Sequence, residues 1–214
     1  MKPFEKWEYE EVELTFGLSR SASLPLLTAW LGAQEPLSAA ETAEFNNLKV
    51  ELASRVEDWN EDELKFFFIS PFVRLINFNE PGKFSAFSQR NISAEATTVN
   101  GERMTLRGRV EFMVATGKQK PRHPFFCLHE YKPQLRGQSD PLGQLLIAMF
   151  AVSKINDDPQ QPVLGCYVLG KFWHFVVLEG QKYTASASFD VSQDEILQVA
   201  AALKWCKRYI ETHL

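Results

Sequence analysis

Residues 127–133 read CLHEYKP and follow directly on the apolar Pro124-Phe125-Phe126. The run reads as a strand entering a core, yet Glu130 and Lys132 stand in it one residue apart. Along an extended chain, alternation places both on one face, together with Phe126 and Leu128. A charged group on a buried face is costly unless it is paired, hydrogen-bonded or bound to a metal. The simple account is that the strand leaves the core here and its charges reach water. The chemical account is that a carboxylate and an ammonium held side by side form part of a site.

The surrounding charge points to a polyanion as one class of partner. Between Asn100 and Arg136 there are eight Lys or Arg against three acids, Glu102, Glu111 and Glu130. This segment carries +5 in a chain whose net charge is -4, so the remainder is at -9. A basic field on an acidic body can steer a polyanion to one face; a well-solvated hairpin would give the same count. Lys118, Lys120 and Arg122 are the cations placed to contact phosphates without reading sequence.

Other chemistries find no footing. Cys127, Cys166 and Cys206 are far apart, with no C-x-x-C pair, and read as small core residues. His123, His129, His174 and His213 lack zinc-ligand spacing. There is no phosphate-binding G-x-x-x-x-G-K-[ST], no G-x-G-x-x-G and no G-x-S-x-G. No apolar run approaches the roughly 20 residues that span a bilayer, and the acidic, aromatic opening MKPFEKWEYEEVEL has no signal-peptide core. The expectation is a cytoplasmic protein with no membrane partner.

Elements must position Glu130 and Lys132. Alternation of Val12, Leu14 and Phe16 predicts a short edge strand over 9–16. A helix is expected over 23–33 and another over 38–59, the latter opened by a Ser38/Glu41 capping box. A third, over 60–78, has Asn60 as its cap and Glu61, Asp62 and Glu63 in its first turn, with Pro71 expected to kink it or end its first half. Strands follow over 84–95 and 103–115, joined through Asn100-Gly101, with Met104, Leu106, Gly108, Val110, Phe112 and Val114 alternating along the second. The loop 116–124 leads to the strand 125–132. Asp140-Pro141 opens a buried helix to about Asn156. VLGCYVLG and KFWHFVVLEG form a hairpin buried on both faces, QKYTASASF adds a strand, and Ser192 with Glu195 caps a last helix whose apolar face is Ile196, Val199, Leu203, Cys206 and Ile210.

The order helix 60–78, strands 84–95, 103–115 and 125–132, helix 140–156, strand 163–169 resembles the PD-(D/E)XK nuclease superfamily. The residues that carry the likeness are Gly108-Arg-Val-Glu111-Phe and Glu130-Tyr-Lys132, over roughly 60–180. The resemblance implies an α/β fold with a restriction-endonuclease-like αβββαβ core, a mixed sheet flanked by helices, at 60–214, plus a helical N-terminal extension at 1–59. It implies a Mg²⁺ or Mn²⁺ ion held by Glu111, Glu130 and the carbonyl of Tyr131, oxygen ligands suited to a hard cation. Lys132 would orient or deprotonate the attacking water or stabilise charge on phosphate, in phosphodiester hydrolysis of DNA or RNA. Glu63, or else Glu61, matches an acid on the first core helix, although acids also favour a helix start. Gln144 matches a Gln on the helix after E-x-K. One departure stands out: the family usually has Asp where this chain has Glu111, a methylene longer. The alternative is therefore an inactive member of the fold serving as a binding module, with Glu130 and Lys132 as a structural ion pair. Oligomeric state is left open, because intramolecular packing accounts for the N-terminal apolar faces as well as self-association does.

Overall fold

The computed structural model describes residues 2–132, 140–156, 158 and 160–213, with the backbone alone at 129–132. Among them, eight strands form one mixed sheet: β1 (Ser19–Arg20), β2 (Ser85–Thr97), β3 (Arg103–Ala115), β4 (Pro124–Lys132), β5 (Val163–Leu169), β6 (Phe172–Glu179), β7 (Lys182–Ala185) and β8 (Phe189–Asp190). The order across the sheet is β1-β7-β6-β5-β4-β3-β2, with β8 beside β6. β1 with β7 and β4 with β5 are parallel, and the other pairs are antiparallel.

Helices cover both faces. One carries α2 (Pro25–Leu31), α3 (Ala39–Arg55), α4 (Glu61–Leu64), α5 (Ser70–Ile76) and α7 (Glu195–Thr212). The other carries α1 (Tyr9–Phe16) and α6 (Pro141–Asn156). Residues of the first 59 thus enter both cores. No helix of the described residues is long and apolar enough to cross a membrane.

The helix α6 is apolar nearly all round because it is enclosed all round. It joins β4 to its parallel neighbour β5, lies on the sheet, and is covered by α1 and the 3₁₀ turn Phe4–Lys6. Asp140 fixes both helix starts, accepting the Gly143 N–H at 3.0 Å and the Tyr9 N–H at 2.6 Å. At Gly143 a Cβ would stand 2.5 Å from Trp7 O and Tyr9 N.

Residues 9–16 are helical, not a strand. Val12 and Phe16, four apart, are buried, and Leu14 between them is 71% exposed. The period is that of a helix face laid on α6, where Phe16 meets Phe150 at 4.6 Å, and Gly17 ends it at φ 71°. A second correction lies at α7. Ser192 does not cap it: its hydroxyl donates to Asp190 Oδ1, and Glu195 accepts the Asp190 N–H. The apolar face of α7 is buried as its spacing predicts.

The helix over 61–76 keeps a continuous path. Asn60 and Glu63 form a capping box, and Lys65–Ile69 form one π turn between α4 and α5. Pro71 follows directly. A proline ring crowds the carbonyl four residues back and offers no N–H to it, and the widened π turn accommodates that misfit.

The β2–β3 ribbon changes face midway. Ile92, Ala94, Ala96, Leu106 and Val110 pack on the α6 side, as do Phe87, Met113 and Ala115. Phe112 and Val114 pack on the opposite side, so the six alternating residues of β3 do not share one face. The switch falls where Gln89 stands across from Glu111, between the pairs Ser88↔Phe112 and Arg90↔Val110.

Two outcomes follow from this packing. Gly143→Ala should lower stability by about 1–3 kcal/mol, read as a lower urea midpoint, because its neighbours are backbone atoms. The second concerns Glu41, whose carboxyl is held down to about 2 by Lys204 and then by Ser38. Its folded pKa lies below the ordinary 4.5, so its contribution is complete above that value and is lost as pH falls toward 2. Glu41→Gln should flatten stability against pH in that window, measured by denaturant titration.

Candidate functional site

The strand β3 is shared between two neighbours and parts from one of them. It pairs with β4 at Val114↔Phe126, Met113↔Cys127 and Phe112↔Leu128, and no further toward Glu111. Beyond that point β3 continues with β2, and β4 continues with β5 as far as Lys132↔Leu169. Glu111 is the first residue of β3 past the fork, and Glu130 is the second residue of β4 past it.

Glu130 is also a bulge. The β4–β5 register runs His129↔Tyr167 and then Tyr131↔Val168, leaving Glu130 as the extra residue. A bulge breaks alternation and re-aims side chains. The simple rule that sets Glu130 and Lys132 on one face with Phe126 and Leu128 therefore stops at Glu130. The side chains of Glu130, Tyr131 and Lys132 lie outside the described residues.

Glu111 is 13% exposed at its side chain, and its Oε2 has two partners. Lys65 Nζ stands 2.7 Å away and Gln89 Nε2 donates at 2.9 Å. Lys65 lies also 3.7 Å from Glu61. Gln89 reaches Glu111 from a left-handed backbone, φ 55°, a conformation that costs a non-glycine residue about 1–3 kcal/mol and clusters at functional sites. Beside them a hollow of ≈ 300 Å³ is lined by Lys65, Arg74, Asn77, Asn79, Ser88 and Glu111, among others.

The remaining candidates lie elsewhere. Glu63 is spent on the cap: its Oε2 accepts the Asn60 N–H at 2.8 Å, while its own N–H donates to Asn60 at 3.0 Å. Gln144 sits on α6, across the sheet from Lys65. It is 2% exposed, and its Nε2 has no partner among the described residues, so it is a buried donor in want of an acceptor. Lys118, Lys120 and Arg122 are exposed on the β3–β4 loop. Lys83 joins them from the turn before β2 around a hollow of ≈ 600 Å³.

Neither Lys65 nor Gln89 was visible as a site residue in sequence. Lys65 reads there as the i+4 partner of Glu61, and Gln89 gains meaning only from the register that opposes it to Glu111. The cysteines are core residues as expected: all three are buried, and burial pushes the Cys127 thiol up to about 12. His174 is held below its usual range by burial and stacks on Tyr167 at 4.5 Å.

Carboxylate oxygens are the ligands that Mg²⁺ and Mn²⁺ take, and Glu111 supplies one such group at the fork. No cluster of three His, Cys, Asp or Glu gathers among the described residues, and Glu111 already faces an ammonium. The described side chains thus fit a metal in donor type and fall short in number. No protein-family model matches the chain, and no curated protein matches it.

The Lys65–Glu111 pair should be measurable as coupling. In a cycle of Lys65→Met, Glu111→Gln and the double variant, urea unfolding should give a coupling of about 1 kcal/mol. A value of zero would mean that the pair contributes nothing in solution.

Proposed function

We propose that the chain is a PD-(D/E)XK-type nuclease-like protein that acts on phosphodiester bonds of DNA or RNA. The observation that carries this reading is the fork, past which Glu111 is the first residue of β3 and Glu130 the second of β4. The succession of the 61–76 helix, β2, β3, β4, α6 and β5 supports a restriction-endonuclease-like core around it. In this reading Glu111, Glu130 and the Tyr131 carbonyl hold Mg²⁺ or Mn²⁺, which when bound polarises phosphate and acidifies water. Lys132 orients or deprotonates that water. Gln144, whose buried donor has no partner among the described residues, would act from the α6 layer as a positioning residue. Lys118, Lys120 and Arg122 hold the flanking backbone by charge. Glu63 keeps its role at the cap, and Glu61, 3.7 Å from Lys65, is the nearer acid of that helix.

A second reading has its own observation. Lys65 occupies Glu111 at 2.7 Å, which is what a binding module descended from such an enzyme would have. One experiment separates the two. Calorimetric titration with Mn²⁺, alone and with an oligonucleotide present, should give heat that Glu130→Ala lacks. Cleavage of labelled DNA or RNA should then fall about 10²–10⁴-fold in Lys132→Ala. Oligonucleotide binding with neither Mn²⁺ heat nor cleavage would select the binding module.

A further inference from the structure

We infer that the face beside Glu111 is a track for single-stranded nucleic acid, with bases taken by Phe66 and phosphates by the cationic hollow at Lys83. The inference rests on the nucleic-acid reading above and adds the substrate class. Phe66 is 72% exposed and Phe67 41% exposed, although both lie on the π turn of a helix whose other face builds the core. Their rings meet edge to face at 5.1 Å, and Phe67 is fixed from behind by Trp59, stacked at 5.7 Å. Phe66 is thus a ring supported by Phe67 and largely exposed among the described residues. The hollow next to it is lined by Asp62, Glu63 and Lys65, and the Lys65 ammonium is already held by Glu111 and Glu61. Those acids repel phosphate, so this end suits the uncharged face of a base.

The opposite end has the opposite charge. Lys83, Lys118, Lys120 and Arg122 surround the second hollow, and no acid is among its described lining residues. The loop that carries three of them is closed at its base, Arg122 N–H to Thr116 O at 3.0 Å and Thr116 N–H to His123 O at 3.2 Å. Gly117 makes the turn at φ 105°, where a Cβ would stand 2.2 Å from Lys120 O. The cations therefore stand on a tight turn, already gathered.

The groove at Glu111 shares Lys65 and Ser70 with the hollow at Phe66 and follows the cationic hollow along β2. Ser85 lines the cationic hollow, and Ala86 and Ser88 line the one beside Glu111. From Ser85 to Gln89 the strand rises about 13 Å. An aromatic platform with a basic groove is the arrangement that holds single strands, because a duplex hides its base faces in its own stack.

The test is fluorescence anisotropy in EDTA, where neither metal nor cleavage enters. The probes are an oligothymidylate of about 16 nucleotides, the upper end of single-strand site sizes, and a duplex of equal length. The single strand should bind more tightly. Phe66→Ala, at an exposed position, should weaken it about 5- to 100-fold and leave the duplex unchanged. Lys83→Ala with Lys120→Ala should lower the slope of log affinity against log salt by about 1.4, at about 0.7 per phosphate contact. Equal affinity for both probes, or an inert Phe66→Ala, would overturn the single-strand track while leaving the nucleic-acid reading intact. Absence of binding to either probe would remove both. Self-association that Phe66→Ala abolishes, read by sedimentation, would assign this face to a second copy and overturn the track.

Discussion

The rest of the site depends on a hydrogen-bonding constraint at β3. A strand has two edges, and β3 gives one to β2 along its whole length and the other to β4 only from Phe112 onward. Backbone donors and acceptors must find partners wherever water is excluded. β4 keeps its ladder with β5 and β3 its ladder with β2, so both strands stay in the sheet where they separate, and the groups on their facing edges are left to water or side chains. The space they open is the place where a polar side chain such as Glu111 can sit near the core without being inside it. Two irregularities of backbone conformation lie there: the left-handed Gln89 opposite Glu111 and the bulge at Glu130. A sheet that parts must twist and re-aim its side chains, and these are the devices by which strands do so.

The helix over 61–76 is adapted to the same opening. Pro71 forces a wide turn just upstream, and that turn begins at Lys65. Its two outward rings, Phe66 and Phe67, would be misplaced in an ordinary amphipathic helix, where the apolar stripe faces the core. The inward ring, Phe68, and Ile69 are buried, so the π turn divides the run KFFFI into a charged contact, an exposed pair and a core pair. One local widening thus sets three neighbouring residue types to three different tasks.

What was legible in sequence was what closes over short separations. The Ser38/Glu41 box, the Asn60 cap and the Asp140-Pro141 start depend on residues three apart or adjacent, and all three form, whereas the Ser192/Glu195 cap, of the same spacing, does not. The strands of the β2–β3 ribbon and the buried hairpin of β5 and β6 are legible because their period and turn signals agree. The helix α1 was not, since Val12, Leu14 and Phe16 satisfy a period of two and Val12 with Phe16 also a helical repeat. Only the presence of α6 beside it decides that Leu14 faces water. In the candidate site, Glu111 stood out as an acid in an apolar strand. Its partners lie 46 and 22 positions away, and the pairing emerges from register and helix placement, which no local pattern encodes. The bulge at Glu130 likewise belongs to the pairing with β5, not to the stretch CLHEYKP.

The Lys65–Glu111 pair has a consequence for how activity and fold are related. A carboxylate with 13% exposure needs a positive or donating partner in every state of the protein. Here Lys65 and Gln89 provide it from within the chain, so the sheet does not wait for a metal to compensate Glu111. That differs from sites whose ligands fold only around their ion, where metal affinity is folding free energy. With compensation built in, a cation at the fork would exchange one positive neighbour of Glu111 for another, and the net cost of that exchange governs occupancy. The same compensation lets the fold survive without chemistry, because Glu111 itself keeps Lys65 and Gln89 as partners when no ion is bound to it. In the reading proposed above, an active nuclease and a binding module would be two outcomes of one electrostatic balance, set by how firmly Lys65 holds its carboxylate.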